Sequence, residues 1–180
     1  GLENTDITTN ERGAIVVNDT CESSVSGVYA VGDVNGGPQF TYISLDDFRI
    51  VFSALTGNGN YTLEDRKNTP YTTFLTPPLA RVGLTEQEAI NKGYTVKTKE
   101  MLVATMPRAH VNDNLKGAFK IVVDAESNLI LGATLYSPSA EELINLIKMA
   151  MDNNIPYTYF KNQIFTHPTM AENLNDLCNF

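Results

Sequence analysis

Five stretches of apolar and β-branched residues beyond position 70 have the length of β-strands. They cover residues 71–76, 80–84, 94–105, 118–123 and 129–135. The last two flank a short polar turn at 124–128, so we expect them to pair as an antiparallel hairpin. The first is stopped by two consecutive prolines, which have no backbone N–H to donate to a neighbouring strand.

Helical patterns separate and follow these strands. Thr85 with Glu88 forms a capping-box pattern, which predicts a short helix that ends near Gly93. A further capped helix is predicted to open at Ser139, and a short helical segment covers 157–164. The apolar residues of the helix after Ser139 occupy more of its circumference than one core-facing stripe requires. That excess predicts contact with a partner.

The first part of the chain contains an apolar run that ends abruptly at a Gly-Asp pair. Residues 24–34 are typical of a buried parallel strand, and residues 13–17 predict a shorter strand before it. Ligands of open α/β sheets lie beyond the carboxyl ends of strands, which places Asp33 where its carboxylate can accept hydrogen bonds from sugar or polyol hydroxyls. The alternative is that Asp33 only satisfies the backbone of the glycine-rich loop at 35–38.

A helix is predicted directly after this loop, over residues 40–52, from apolar residues at a helical period. Its N-terminus near Thr41 presents unpaired amides and about half a positive charge, which would stabilise an anionic group. The polar, glycine-containing segment 57–70 is interpreted as a domain boundary. The polar first 12 residues contain no start methionine and no first strand, so we expect the chain to begin within a longer protein.

The strongest candidate for chemistry is the stretch from 165 to 174, where His167 precedes a carboxylate by five residues. Pro168 favours extended backbone at His167, and Thr169 with Glu172 is a capping-box pattern that predicts a helix starting at Thr169. A carboxylate that accepts a hydrogen bond from one imidazole nitrogen fixes the tautomer needed by a general acid or base. The alternative is that Glu172 only caps a helix and His167 is an ordinary surface or interface residue.

Composition narrows the function classes. The 180 residues carry a formal net charge of −8 at a sequence pI of about 4.7, which argues against nucleic acid and anionic membrane surfaces as partners. Neither a membrane-spanning apolar run nor a signal peptide is visible, so we expect a soluble, cytoplasmic protein. Cys21 and Cys178 show no metal-ligand or redox spacing, so we expect two free thiols without a catalytic role and no metal site.

Two sets of residues resemble one known family. Residues 24–33 resemble the second flavin motif of the pyridine nucleotide-disulfide oxidoreductases, the class I flavoprotein disulfide reductases, with Ser24 in the place of a threonine. Residues 71–180 resemble the dimerisation domain of that family. The matching positions are Pro77-Pro78, Val82-Gly83, Ile130-Leu131-Gly132, and His167-Pro168-Thr169 with Glu172. The segments 40–44 and 172–175 are most similar to the mercuric-reductase-like and reactive-chlorine-resistance branch.

The resemblance implies a fold and a domain arrangement. The fold would be α+β, an antiparallel sheet with helices packed on it, preceded by a remnant of the α/β FAD-binding domain. The domains would be the FAD-domain remnant at 1–56, a linker at 57–70 and the dimerisation domain at 71–180. The parent would be a homodimeric oxidoreductase that uses FAD and takes NAD(P)H as co-substrate.

The same resemblance implies roles for individual residues. Asp33, Gly32 and Thr41 would contact FAD. His167 would act as an acid or base in the active site of the other subunit, with Glu172 orienting it, and the His167-Pro168 peptide would be cis. The dinucleotide fingerprint GxGxxG and the redox pair CxxxxC have no counterpart here, so we expect no stable FAD binding by this chain alone. The alternative function is a non-catalytic homodimerisation module.

Overall fold

The computed structural model describes residues 1–57 and 59–180, which divide into two compact units, Gly1–Lys67 and Asn68–Phe180. The linker predicted at 57–70 includes Asn58, which lies outside the described residues, and the division between the units falls near its end.

The second unit is built on a five-stranded antiparallel sheet. Its strands are β1 (Tyr71–Thr73), β2 (Leu79–Gly83), β3 (Val96–Leu102), β4 (Ala118–Asp124) and β5 (Ile130–Tyr136). Their order across the sheet is β1-β2-β5-β4-β3, and every pairing is antiparallel. The hairpin predicted for the last two strands is confirmed, and a bulge between Val122 and Val123 shifts its register. The predicted α+β class is therefore confirmed.

Five helices belong to this unit: α2 (Glu86–Asn91), α3 (Pro107–Val111), α4 (Ala140–Asp152), α5 (Tyr157–Asn162) and α6 (Asn173–Leu177). The core lies between one face of the sheet and α4. Its fully buried members include Phe119, Ile121 and Leu135 from the sheet and Ile144 and Ile147 from α4. Burial alternates along the first half of β4, as expected for a strand with one face on the core, and its residues from Ile121 to Asp124 are all buried around the bulge.

Two helix starts differ in how they are capped. The capping box at Thr85 is confirmed, since Glu88 N–H donates to Thr85 Oγ1 and Thr85 N–H donates to Glu88 Oε2. The side-chain cap predicted at Ser139 is wrong. Ser139 has a left-handed backbone with φ of +64° and makes no capping bond with its side chain, so its carbonyl oxygen accepts from the Glu142 and Leu143 amides instead.

The third strand is shorter than its pattern predicted. β3 ends at Leu102, and a 3₁₀ turn at Val103–Thr105 leads into α3, a helix that the sequence did not predict. The chain leaves the sheet at this point because Val103 and Met106 are fully buried in the core. The apolar pattern alone had predicted that the strand continues. β1 is also shorter than predicted, since its pairing with β2 ends at Thr73, and Phe74 and Leu75 after it are exposed.

The first unit contains α1 (Thr41–Thr56), which confirms the helix predicted after the glycine-rich loop. The strands predicted at 13–17 and 24–34 are wrong. In place of strands, the described residues of this unit form single antiparallel bridges, such as Thr9 with Ile15 and Glu22 with Tyr29. A β-strand needs hydrogen bonds to a neighbouring strand over several residues, whereas a bridge pairs one residue with one other. None of the described helices is both long and apolar enough to cross a membrane.

Candidate active site

The turn between α5 and α6 carries the His167 stretch. The His167-Pro168 peptide is cis, as predicted. Thr169 N–H donates to Glu172 Oε1 at 3.0 Å, and Glu172 N–H donates to Thr169 Oγ1 at 3.2 Å, so the capping-box contacts are confirmed. The regular helix nevertheless begins at Asn173 and not at Thr169. The backbone before it makes tighter i to i+3 bonds, from Asn173 N to Met170 O and from Leu174 N to Ala171 O.

The imidazole and the carboxylate are in direct contact. His167 Nδ1 lies 2.8 Å from Glu172 Oε2. Glu172 Oε1 accepts from the Thr169 amide, so the two carboxylate oxygens have separate partners. An ionised carboxylate can only accept, so Oε2 favours the tautomer in which Nδ1 carries the proton. The His167 side chain is 68% exposed and that of Glu172 is 19% exposed. Within the described part of the chain, Nε2 of His167 makes no hydrogen bond, so this nitrogen is left without a partner in a largely exposed ring.

The electrostatics of the pair match this geometry. The hydrogen bond from His167 is the main cause that holds the pKa of Glu172 below its usual value, and the Thr169 amide adds to it against the opposing effect of burial. Glu172 is therefore ionised at neutral pH. An ionised carboxylate on Nδ1 keeps the ring in one tautomer and one orientation.

Two asparagines, which sequence reasoning had not assigned to the site, hold the turn in place. Asn173 is buried, and its Nδ2 donates to the carbonyl oxygens of Thr169 and Met170 at 3.2 and 3.0 Å. Asn175 Nδ2 donates to Phe160 O at 2.6 Å and to Gln163 O at 2.9 Å. Both side chains satisfy carbonyls that the end of α5 and the irregular turn leave open. The one signal in the sequence was their position: Asn173 directly follows Glu172, and Asn175 lies two residues after Asn173.

The Gly-Asp pair of the first unit lies on a 3₁₀ turn, Gly32–Asn35, beside the start of α1. Asp33 lines a cavity of about 1020 Å³ together with Asn10, Arg12, Gly36 and Gln39, among others. The loop's polar groups are satisfied by Asn35, whose Oδ1 accepts from Gly37 N–H at 3.0 Å and whose Nδ2 donates to Ala30 O at 3.3 Å. Among the described residues, the Asp33 carboxylate has no hydrogen-bond partner.

Gly32 and Thr41 take different positions around this turn. Gly32 is buried with φ of +72°, and a Cβ there would lie 2.6 Å from Ser44 Oγ, so only glycine lets the turn approach α1 this closely. Its amide donates to Asp47. Thr41 is the first residue of α1, at the N-terminal end, where the helix dipole is positive. The three predicted cofactor contacts thus lie at one end of one helix.

Neither cysteine has the features of a reactive thiol. Both are free and fully buried, and burial raises the pKa of Cys21 to about 11 and that of Cys178 to about 12. A thiol with such a pKa is a poor nucleophile at neutral pH. Among the described residues, no group of three or more His, Cys, Asp or Glu side chains is arranged to hold a metal ion.

A five-stranded antiparallel sheet with helices packed on it is the fold expected of the dimerisation domain that the sequence resembles. The chain belongs to the pyridine nucleotide-disulphide oxidoreductase family. Residues 69–178 match the family described as "Pyridine nucleotide-disulphide oxidoreductase, dimerisation domain", and residues 1–47 match "Pyridine nucleotide-disulphide oxidoreductase". The resemblance inferred from the sequence is therefore confirmed.

Individual relatives agree with this assignment. The chain is 49% identical, over 97% of its length, to the "Probable pyridine nucleotide-disulfide oxidoreductase RclA" of Escherichia coli K12, and covers 40% of that protein. It is 34% identical, over 96% of its length, to a mercuric reductase of Staphylococcus aureus and covers 31% of it. The solved structure of the "HOCl-induced flavoprotein disulfide reductase RclA from Escherichia coli" superposes with a TM-score of 0.95 at 47% identity, covering 98% of this chain and 41% of the other. The chain thus spans well under half the length of these relatives.

Proposed function

We propose that this chain supplies the homodimer contact and the His167–Glu172 acid/base of an FAD-dependent, NAD(P)H-linked oxidoreductase that acts on a disulfide or a related acceptor. The observation that carries the proposal is the 2.8 Å contact between His167 Nδ1 and Glu172 Oε2 in a ring that is 68% exposed. An imidazole that is oriented by a carboxylate but open to solvent suits proton transfer to a group outside its own chain. In a homodimer, that group belongs to the partner subunit's active site.

The role of each atom follows from this arrangement. Nδ1 holds its proton toward Glu172, which leaves Nε2 to take a proton from an incoming thiol or return one to a departing thiolate. Glu172 does not exchange protons itself, because its lowered pKa keeps it ionised. Its part is to hold the ring and to stabilise the imidazolium when Nε2 is protonated.

Exposed apolar side chains of the second unit support a dimer. Phe74 is 79% exposed and Ile164 is 91% exposed, and Leu75 beside Phe74 is half exposed. The excess apolar circumference of α4 is a weaker argument than the sequence suggested, because most of it packs into the unit's own core and only Met149 is largely exposed. A symmetric second copy would remove such residues from water, and obligate interfaces of this kind commonly bury more than about 2,000 Å² in total.

The first unit fits part of a flavin site. Asp33 lines the cavity with an unpaired carboxylate, which suits the hydroxyls of a ribityl chain, and α1 presents its positive end at Thr41. Gly32 contributes through the shape of the turn, because its amide already donates to Asp47. When bound, FAD would carry the electron pair from NAD(P)H to the acceptor.

Mixed dimers of the complete enzyme test the proposal. Protomers with His167→Ala would be combined with protomers that lack the redox cysteines, each inactive as a homodimer. If His167 serves the neighbouring subunit, each mixed dimer holds one complete site, and partial activity is restored. Zero activity in a verified mixed dimer would mean that His167 acts within its own chain or has no role in turnover.

The second candidate is a homodimerisation module with no turnover of its own. It is favoured by the sequence, which contains neither GxGxxG nor CxxxxC. The pyrophosphate of FAD binds at the first of these motifs, so we expect the 180-residue chain to lose flavin on gel filtration. Retained flavin absorbance would show that the turn at Gly32–Asn35 and α1 suffice for binding.

A further inference from the structure

Asp47 is a charged side chain in a fully buried position of α1. Its Oδ2 accepts hydrogen bonds from Gly32 N–H at 2.7 Å and from Asn35 Nδ2 at 2.9 Å. Its Oδ1 accepts from Arg66 Nη2 in a salt bridge. The two oxygens of one carboxylate therefore connect α1 to both ends of the Gly32–Asn35 turn and to the segment that ends the first unit.

The neighbouring Asp46 provides a natural comparison. Its Oδ2 accepts from Arg66 Nε at 2.7 Å, and its Oδ1 accepts from the Tyr61 hydroxyl at 2.7 Å. Among the described residues, the hydrogen bonds and ion pairs of the Asp46 side chain go to Tyr61, Arg66 and Arg49, and none goes to the Gly32–Asn35 turn. Two adjacent aspartates thus share one arginine, but only Asp47 accepts hydrogen bonds from the turn that carries Asp33.

Stability alone does not account for such a cluster. A buried ion pair commonly stabilises a fold no better than apolar side chains of the same volume, because the cost of removing both charges from water offsets their attraction. What a hydrogen-bonded carboxylate adds is direction, since it accepts only where donors point at it. Here it fixes Gly32, whose left-handed backbone is pressed against Ser44, and Asn35 at the other end of the turn.

We infer that Asp47 is the positioning residue of the flavin-contacting turn. It holds the Gly32–Asn35 turn on α1 through the Gly32 amide and the Asn35 side chain, so that Asp33 between them faces the cavity with its carboxylate unpaired. Asp47 itself is fully buried and is not among the residues that line the cavity. The inference rests on the proposed function in one respect, which is that Asp33 contacts a flavin.

Amide exchange measured by NMR on the 180-residue chain tests the positioning directly. In Asp47→Leu, the Gly32 amide loses a hydrogen bond to a charged acceptor, so its exchange should accelerate by about 10- to 100-fold. Asp47→Asn keeps one acceptor oxygen and should give a smaller acceleration, which keeps the test readable if the leucine variant does not fold. The matched control is Asp46→Asn, which perturbs the same arginine and should leave Gly32 exchange nearly unchanged.

A titration with millimolar FAD, followed by the amide shifts of Asp33 and Gly36, separates positioning from ligand assignment. We expect weak binding to the wild-type chain, weakened by a further tenfold or more in Asp47→Asn. If the wild-type chain shows no shifts, the flavin contact of Asp33 fails, while the exchange data still decide the role of Asp47. If Asp47→Asn and Asp46→Asn both accelerate the exchange of all amides of the first unit alike and lower the urea midpoint equally, Asp47 is only a structural residue. The inference is then overturned.

Discussion

Replacing Glu172 by glutamine separates the orienting role of the carboxylate from the presence of the imidazole. The two oxygens of Glu172 have different donors, His167 Nδ1 at 2.8 Å and Thr169 N–H at 3.0 Å. Glutamine has one oxygen, so it can satisfy only one of these donors, and its NH₂ group then faces the other N–H. Either the ring loses its anchor or the turn loses its cap.

The size of the effect follows from the contact that is lost. A hydrogen bond to a charged group contributes about 1.5–3 kcal/mol, which corresponds to roughly 10- to 150-fold in rate if all of it orients the ring in the transition state. Removal of the ring itself in His167→Ala should cost roughly 10²- to 10⁴-fold, as expected for a positioned acid or base. The double variant should be no slower than His167→Ala, because the carboxylate has then nothing to orient.

The assay is steady-state turnover of the complete enzyme at saturating NAD(P)H, with urea midpoints measured in parallel. Glu88→Gln is the matched control, because Glu88 also accepts from a capping threonine, Thr85, at 2.7 Å, but contacts no imidazole. Its turnover should equal that of the wild type. The reasoning is refuted if Glu172→Gln resembles Glu88→Gln in rate, or if the costs of the two site variants add in the double variant.

Three further predictions concern the fold and the dimer. Light scattering at tens of micromolar should give the mass of a dimer formed through residues 71–180, and a monomer would contradict the interface. The pKa of Glu172 in the folded protein lies below its ordinary value of 4.5, so the ionised carboxylate should stabilise the turn fully above pH 4.5. This stabilisation should be lost as the pH falls through the pKa of the folded protein, and exchange of the Thr169 amide would report the loss. An effect lost already at pH 6 would be inconsistent with this. Gly132→Ala should destabilise the protein by about 1–3 kcal/mol or more, since its Cβ would lie 2.1 Å from a backbone oxygen. Gly1→Ala, at a position with no atom within 4 Å, should leave the urea midpoint unchanged, and equal midpoints of the two variants would contradict this.

Local patterns in the sequence determined much of this protein. The hairpin at 118–135 follows from alternation and a polar turn, and the capping boxes at Thr85 and Thr169 follow from pairs three residues apart. The contact between His167 and Glu172 was predictable for the same reason, because a proline-stiffened turn separates them by only five residues. In each case the partners are close along the chain, so local chemistry brings them together.

Tertiary structure decided what depends on distant neighbours. β3 ends where Val103 enters the core, and the runs at 13–17 and 24–34 form only bridges because a strand exists only beside another strand. The Asp46–Asp47 pair shows the limit most clearly, since adjacent aspartates on a helix ordinarily face solvent. Only the fold buries Asp47 against Gly32, which lies 15 residues earlier in the chain, and that contact turns an ordinary acidic residue into the support of the turn that carries Asp33.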